Sequence, residues 1–334
     1  MKLDAITIRE GQDEYESLAL AIRAVAAVAD VELDYDDLCA ALGASFTTVS
    51  TPVEPSPGWW LTYGRDVFLL PAAKLFGLEL RPLHAPAVGI DMLVADEFVQ
   101  HFEQSYKPLI RAALDNKQPV IAWQGWPDFC WPFWGVITAV TGNEFEGTTM
   151  WAEGKRQQLG QPALQCYVVE RCQPMEPPRD KLFATAMKHA DAYMNHAPYA
   201  TAVLGANSPN IVTGPAALDA WEDWLSGEDF GDPTEDESWN EHRQHAEFIA
   251  TGRLSAARFL NRHREIMSKD RLLIINEAIA CCESLVNRLT DSRDEKRVKS
   301  LFATDKGRQK LLQTIHAAEA DDRRLAMQIE LLSS

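Results

Sequence analysis

Two residues could act as nucleophiles, Ser17 and Cys130, and each has a carboxyl group nearby in the sequence. Ser17 follows Glu16 at the predicted start of a helix, and a serine hydroxyl attacks only when a base accepts its proton. Cys130 follows Asp128 in an aromatic segment, and the thiolate is its reactive form. Structural roles stay open for all of them, because serine and glutamate suit the first helical turn and free cysteine is usually buried.

Aromatic residues are the most prominent candidates for binding, because they cluster around residues 59–63 and 123–134. Aromatic rings form stacking platforms for planar or saccharide-like ligands, although they fill protein cores more often. A carboxylate among them, Asp128, would suit a cationic group such as an amine. The candidate ligand-binding residues are Glu16, Trp59, Trp60, Tyr63, Trp126, Asp128, Trp131, Phe133 and Trp134.

The composition argues against several classes of partner. A net charge of −17 disfavours nucleic acid and anionic membranes, which both attract lysine and arginine. No apolar stretch is long enough to span a membrane, and the first residues lack the apolar core of a signal peptide, so the cytoplasm is the expected location. We expect no cofactor and no metal, because the cysteines and His84, His242 and His245 lack metal-binding spacing. These histidines are expected at the surface.

The elements that would position the candidate residues begin with a helix. Asp13 is predicted to be its N-cap, with Glu16 completing a capping box, and apolar residues then recur at helical spacing. The other predicted elements of this half are helices at 34–43, 64–77 and 91–116, and strands at 118–123, 134–140, 147–151 and 164–170.

The second half of the chain has an almost purely helical pattern. The predicted helices span residues 214–225, 241–250, 256–267, 272–289 and 309–332. A proline-rich linker at 174–179 is the expected domain boundary. The predicted fold class is therefore α+β: a domain of helix plus antiparallel sheet at 1–175, followed by a mostly α-helical domain at 180–334 packed on it.

This order of elements resembles the papain-like superfamily of cysteine proteinases. The phrases that carry the resemblance are QPVIAW, WPFWGVITAVTG and, in the helical half, GPAA followed by Trp221. Within the superfamily, the chain is similar to the bacteriocin-processing double-glycine peptidases and to the acyltransferase of butirosin biosynthesis. The resemblance implies a papain-like first domain, with a nucleophilic cysteine at the N-terminus of the first helix and a histidine opening the strand that here reads WGVITAV.

Carried over to this sequence, the pattern lacks its catalytic pair. Gln12 matches the oxyanion donor, and the nucleophile position falls on Ser17 or Glu16. The base position falls on Phe133, with Pro132 and Trp134 as neighbouring alternatives. No cysteine precedes residue 39, and no histidine occurs between residues 101 and 189.

Three classes of function follow from these residues. The first is a non-catalytic papain-like protein that binds a small molecule or peptide in an aromatic-lined cleft. The second is an amide hydrolase or acyltransferase with a rearranged active site, in which Ser17 or Cys130 is the nucleophile. The third is a scaffold protein whose helical half, above all the helix at 309–332, forms a homo-oligomer.

Overall fold

The computed structural model has an α+β fold, as predicted, with a six-stranded antiparallel sheet and a mostly helical C-terminal region. It describes residues 1–50, 66–83, 96–127, 133–196, 212–227 and 237–334. None of the described helices is long and apolar enough to cross a membrane.

The chain divides into two compact units. The described residues of the first unit are 1–38, 66–83, 96–127 and 133–178. Those of the second unit are 39–50, 179–196, 212–227 and 237–334. The chain passes from the first unit to the second after residue 178, within the proline-rich segment at 174–179. Residues 39–50 also belong to the second unit, although they precede most of the first unit in the sequence.

The sheet of the first unit has the strand order β2-β7-β3-β4-β5-β6, and the described neighbours pair antiparallel. Its strands are β2 (Leu78–Pro82), β3 (Val120–Trp123), β4 (Trp134–Thr141), β5 (Glu144–Thr149), β6 (Gln157–Gln158) and β7 (Gln165–Cys172). The strand β1 (Val49–Ser50) belongs to the second unit. All residues of β3 are buried, as expected for a central strand whose two faces are covered.

Five described helices belong to the first unit in whole or in part. They are α1 (Ser17–Ala27), α2 (Tyr35–Leu42, which continues into the second unit), α3 (Asp66–Leu75), α4 (Asp96–His101, prolonged by a π-turn at Phe102–Tyr106) and α5 (Lys107–Asp115). The helix α3 contains Pro71 in its interior.

The predicted N-cap of the first helix is wrong. Asp13 has a left-handed backbone (φ 63°) inside a turn that the N–H of Glu14 closes on the carbonyl of Gly11. The chain therefore enters the helix four residues later, at Ser17, and Glu16 is the N-cap. Glu14 is drawn away from the helix start because its carboxylate accepts hydrogen bonds from the N–H of Gly11 and from Arg23.

The second unit is built from helices around one apolar core. They are α6 (Arg179–Asn195), α7 (Pro215–Ser226), α8 (Ser238–His263), α9 (Lys269–Arg288), α10 (Thr290–Arg293), α11 (Glu295–Phe302) and α12 (Asp305–Ser333). A two-residue strand, β8 (Val212–Thr213), pairs antiparallel with β1. The two helices predicted at 241–250 and 256–267 form the single helix α8, in which Gly252 lets the backbone of residues 44–45 approach closely.

A buried arginine explains why residues 39–50 belong with the helices. Arg253 of α8 and Asp322 of α12 form an ion pair with an N···O distance of 2.7 Å, and both side chains are fully buried. The same guanidinium donates hydrogen bonds to the carbonyl of Ser45 and to the hydroxyl of Thr48. The segment before β1 thus supplies the polar partners that a buried cation requires.

The predicted surface position of His242 and His245 is wrong. Both side chains are completely buried in the second unit, where their rings contact Trp221. The helix α8 turns these two positions toward the core of the second unit. His84 lies outside the described residues.

Candidate functional site

The first helix is tied to the start of β4 by one hydrogen bond. The backbone N–H of Trp134 donates to Oγ of Ser17 at 3.0 Å, across 117 positions of the sequence. Ser17 is the first residue of α1 and is almost fully buried. The positions that the resemblance assigns to nucleophile and base therefore lie at this contact or one residue from it.

Glu16 places a buried carboxyl group at the same helix end. Its Oε1 accepts a hydrogen bond from the N–H of Leu18 at 2.7 Å, which caps α1. Burial raises the pKa of Glu16 well above its usual value, although hydrogen bonds from the backbone N–H groups of Leu18 and Ala19 oppose the shift. The site thus favours the neutral carboxyl, which has both an O–H donor and a carbonyl acceptor.

Tyr35, which was not among the predicted site residues, binds the backbone of the two residues that precede α1. Its hydroxyl accepts hydrogen bonds from the backbone N–H groups of Tyr15 (3.1 Å) and Glu16 (2.8 Å). The guanidinium of Arg23 lies over the Tyr35 ring, 5.7 Å from its centroid, and pairs with Glu14. A tyrosine at the start of the second helix carries no signal of this contact in the sequence.

The described aromatic candidates are buried in the first unit. Trp134 is completely buried, with its ring 6.4 Å from that of Trp123 and 5.9 Å from that of Tyr167. Phe133 is also buried, and its carbonyl accepts the N–H of Gln124 at 3.1 Å. These side chains are buried and do not form an open platform.

Trp126 packs against two glycines of the sheet. A Cβ added to Gly135 would lie 2.5 Å from its indole, and one added to Gly147 would lie 2.7 Å from it. The indole Nε1 donates to the carbonyl of Ala122 at 3.3 Å. The two glycines of β4 and β5 therefore make the space that this ring fills, and Trp126 has a core position.

The structure brings Glu16, Ser17, Phe133 and Trp134 into one region. Gln12, the predicted oxyanion donor, is exposed in the turn that precedes the helix. The other candidates lie outside the described residues, and their roles remain predictions: Trp59, Trp60, Tyr63, Asp128, Cys130 and Trp131.

The described part of the first unit offers Ser17 no imidazole. Its one histidine is His101 at the end of α4, where the ring contacts Tyr106 and lies 3.4 Å from the hydroxyl of Ser105. The described cysteines of this unit are not activated, because burial raises the pKa of both Cys166 and Cys172. Across the described residues, no group of three or more His, Cys, Asp or Glu side chains could hold a metal ion.

Comparison with models of known protein families gives no match for this chain. A search of curated proteins also gives no match.

Proposed function

We propose that this chain is a papain-like protein without catalytic activity, which binds a small molecule or a peptide beside the N-terminus of α1. The observation that carries the proposal is the hydrogen bond from the Trp134 N–H to Ser17 Oγ. This hydrogen bond supports a site in which Ser17, at the proposed nucleophile position, joins α1 to β4.

The residues near Ser17 support the loss of catalysis. A serine nucleophile needs a neighbouring base that takes its proton. The residue at the proposed base position is Phe133, whose ring cannot accept a proton, and the neighbouring Trp134 has only an indole N–H donor. The adjacent carboxyl, Glu16, is already used within the fold, because its Oε1 accepts the N–H of Leu18 and caps α1.

Glu16 and the N-terminus of α1 support the binding role. The Glu16 carboxyl can accept a hydrogen bond from the N–H of an amide group, and its protonated form, toward which burial shifts it, also donates one to the C=O. The N-terminus of α1 adds a partial positive charge that favours a carbonyl oxygen. An amide-containing ligand, such as a peptide, fits these groups best.

A titration followed by nuclear magnetic resonance tests this proposal. Mixed tripeptides are added to the full chain, and the backbone amide signals of Leu18 and Trp134 are recorded. We expect both signals to shift in the wild type and in Glu16→Gln, which keeps a donor and an acceptor. Glu16→Ala should abolish the shift. Unchanged signals in the wild type at millimolar peptide would contradict binding at this helix end.

The rearranged-enzyme hypothesis has a direct test on the same protein. A fluorophosphonate probe labels an activated serine, and iodoacetamide labels an activated cysteine such as Cys130. We expect labelling of the wild type no faster than that of Ser17→Ala, and equal thiol reactivity of Cys130 and the other cysteines. Rapid labelling of Ser17 or Cys130 would instead favour an amide hydrolase or acyltransferase.

A second candidate function, self-association, is favoured by one exposed surface of the second unit. Leu273 of α9 and Met327 and Leu331 of α12 are each more than half exposed. The hydrogen bond from Arg271 to the carbonyl of Leu332 places the start of α9 beside the end of α12. The same two helices carry residues of both charge signs, among them Lys269, Asp270, Arg271, Glu277, Arg324 and Glu330. Mixed charge on these helices, in a chain of net charge −17, would let a second copy dock with little repulsion.

A further inference from the structure

Two histidines contact the same tryptophan in the core of the second unit. His242 and His245 are three residues apart on α8, and both are fully buried. The ring of Trp221 on α7 lies 4.9 Å from that of His242 and 4.5 Å from that of His245. His242 also contacts the ring of Phe302 on α11, at 5.4 Å.

The imidazoles have almost no hydrogen-bonding partners within the described part of the chain. Among these residues, neither ring nitrogen of His242 has a partner, and neither does Nδ1 of His245 or the indole Nε1 of Trp221. Nε2 of His245 lies 3.4 Å from the hydroxyl of Ser50, which is a neutral group. A positive charge on either imidazole would therefore be buried without compensation, which is strongly unfavourable.

Several charged groups on the neighbouring elements have partners other than the two histidines. On α7, Asp219 pairs with Arg323 and Glu222 with His316, both on α12. On α8, Glu247 pairs with Arg293 of α10, and Arg243 donates hydrogen bonds to Asn240. On α11, Lys299 pairs with Glu295 and lies over the ring of Trp239. None of these pairs includes His242 or His245.

We propose that His242 and His245 form an acid-sensitive latch, in which protonation of either imidazole breaks its packing on Trp221 and separates α7 from α8. The latch is closed while both rings are neutral, because neutral imidazoles are tolerated in an apolar core. Opening exposes the Trp221 ring and the apolar faces of both helices.

The direction of the pH dependence follows from burial. Burial is the main cause that lowers the pKa of each histidine from 6.5 to about 3, and at His242 the charge of His245 contributes to the same lowered value. The unfolded chain takes up these protons near pH 6.5. The stabilisation is therefore complete above about pH 6.5 and is lost as the pH falls from 6.5 toward 3.

Hydrogen–deuterium exchange of the full chain, corrected for the intrinsic effect of pH, tests the latch. Each histidine contributes about fivefold over the first pH unit below its unfolded pKa of 6.5, so protection of α7 and α8 should fall by about 30-fold between pH 6.5 and 5.5. Peptides from β3 and β4 should keep their protection. Unchanged protection of α7 and α8 down to pH 5 would overturn the proposal.

Two variants separate the latch from general acid sensitivity. His242→Phe/His245→Leu should keep the protection of α7 and α8 between pH 6.5 and 5.5, whereas the exposed control His196→Gln should lose it as the wild type does. If the double variant does not fold, the imidazole signals of the wild type decide the question. Signals of His242 and His245 that titrate near pH 6.5 while α7 and α8 stay protected would overturn the proposal.

Discussion

Ser17 and Trp134 are separated by 117 residues in sequence, yet the backbone N–H of Trp134 donates to the Ser17 hydroxyl at 3.0 Å. This contact fixes the first turn of α1 against the first residue of β4. In the proposed papain-like arrangement, these are the two elements that hold the nucleophile and the base. The proposed site depends on this hydrogen bond more than on any other contact.

Removing the hydroxyl should destabilise the first unit. Ser17→Ala leaves the Trp134 N–H without its partner in a buried environment, which costs about 1–3 kcal/mol of unfolding free energy. Urea unfolding followed by circular dichroism measures the change. Ser105→Ala, at an exposed hydroxyl, is the matched control and should alter the free energy by less than about 0.5 kcal/mol. Equal stabilities of the two variants would show that the Ser17 hydrogen bond is dispensable.

Glu16 should make stability fall as the pH rises. Its pKa in the folded protein is raised by burial, so the folded state keeps a proton that the unfolded state releases above about pH 4.5. The loss can reach about 1.4 kcal/mol per pH unit between these two pKa values. Glu16→Gln keeps an acceptor for the Leu18 N–H and does not ionise. Its unfolding free energy should exceed that of the wild type at pH 7.5, and the advantage should vanish near pH 4. An advantage that is the same at both pH values would refute this interpretation.

The fit of Trp126 on the sheet can be tested by a double-mutant cycle. Gly135→Ala should cost several kcal/mol, because the new methyl group would meet the indole of Trp126. The same change should cost much less in a Trp126→Leu background. Gly160→Ala, where the added methyl group comes no closer than 3.9 Å to its neighbours, is the control for the loss of glycine. Additive costs in the cycle would mean that the clash is not with Trp126.

The buried ion pair in the second unit should show strong coupling. Either Arg253→Met or Asp322→Leu leaves an unpaired buried charge and should cost about 3–5 kcal/mol. The double variant should be more stable than the sum of the single costs predicts, since no charge is left uncompensated. Chemical unfolding of the three variants measures the coupling free energy. A coupling near zero would indicate that water reaches these side chains.

Self-association should depend on the exposed apolar residues of α9 and α12. Leu273→Glu/Leu331→Glu places charge on this surface and should shift the chain to the monomer in sedimentation velocity experiments. Val99→Glu, at a similarly exposed apolar residue of the first unit, should leave the distribution unchanged. A wild type that sediments as a monomer at concentrations on the order of 100 µM would rule out this second candidate function.

The sequence predicted local elements well and distant contacts poorly. The strand predicted at 134–140 is β4, because it is a continuous run of mostly apolar residues. The helix predicted at 309–332 lies within α12, because its apolar residues recur at three- and four-residue spacing. The start of α1 was predicted too early. The carboxylate of Glu14 accepts hydrogen bonds from Gly11 and Arg23, and these contacts hold Asp13 in a turn although its sequence context favours an N-cap. The burial of His242 and His245 was missed because it depends on Trp221 and Phe302 reaching them from other helices.

The positions of the candidate ligand-binding residues also depend on contacts with residues that are distant in the sequence. The sequence grouped Trp126, Phe133 and Trp134 as a ligand platform, but glycines at 135 and 147 and the ring of Tyr167 give these side chains places in the core. Such partners are far apart in the sequence and carry no periodic signal. Tyr35 and Arg253 were missed for the same reason, since their roles exist only after distant segments have come together.

The most direct test of a papain-like site restores the missing catalytic pair. If Ser17 and Phe133 occupy the positions of nucleophile and base, Ser17→Cys/Phe133→His should place a thiol beside an imidazole, which lowers the pKa of the thiol. The rate of alkylation by iodoacetamide at pH 6 is followed at position 17 by peptide mass spectrometry, in this variant and in Ser17→Cys alone. Circular dichroism confirms that both are folded. We expect at least about tenfold faster alkylation of the introduced thiol in the double variant. Equal rates in the two folded variants would contradict the papain-like assignment of these two positions.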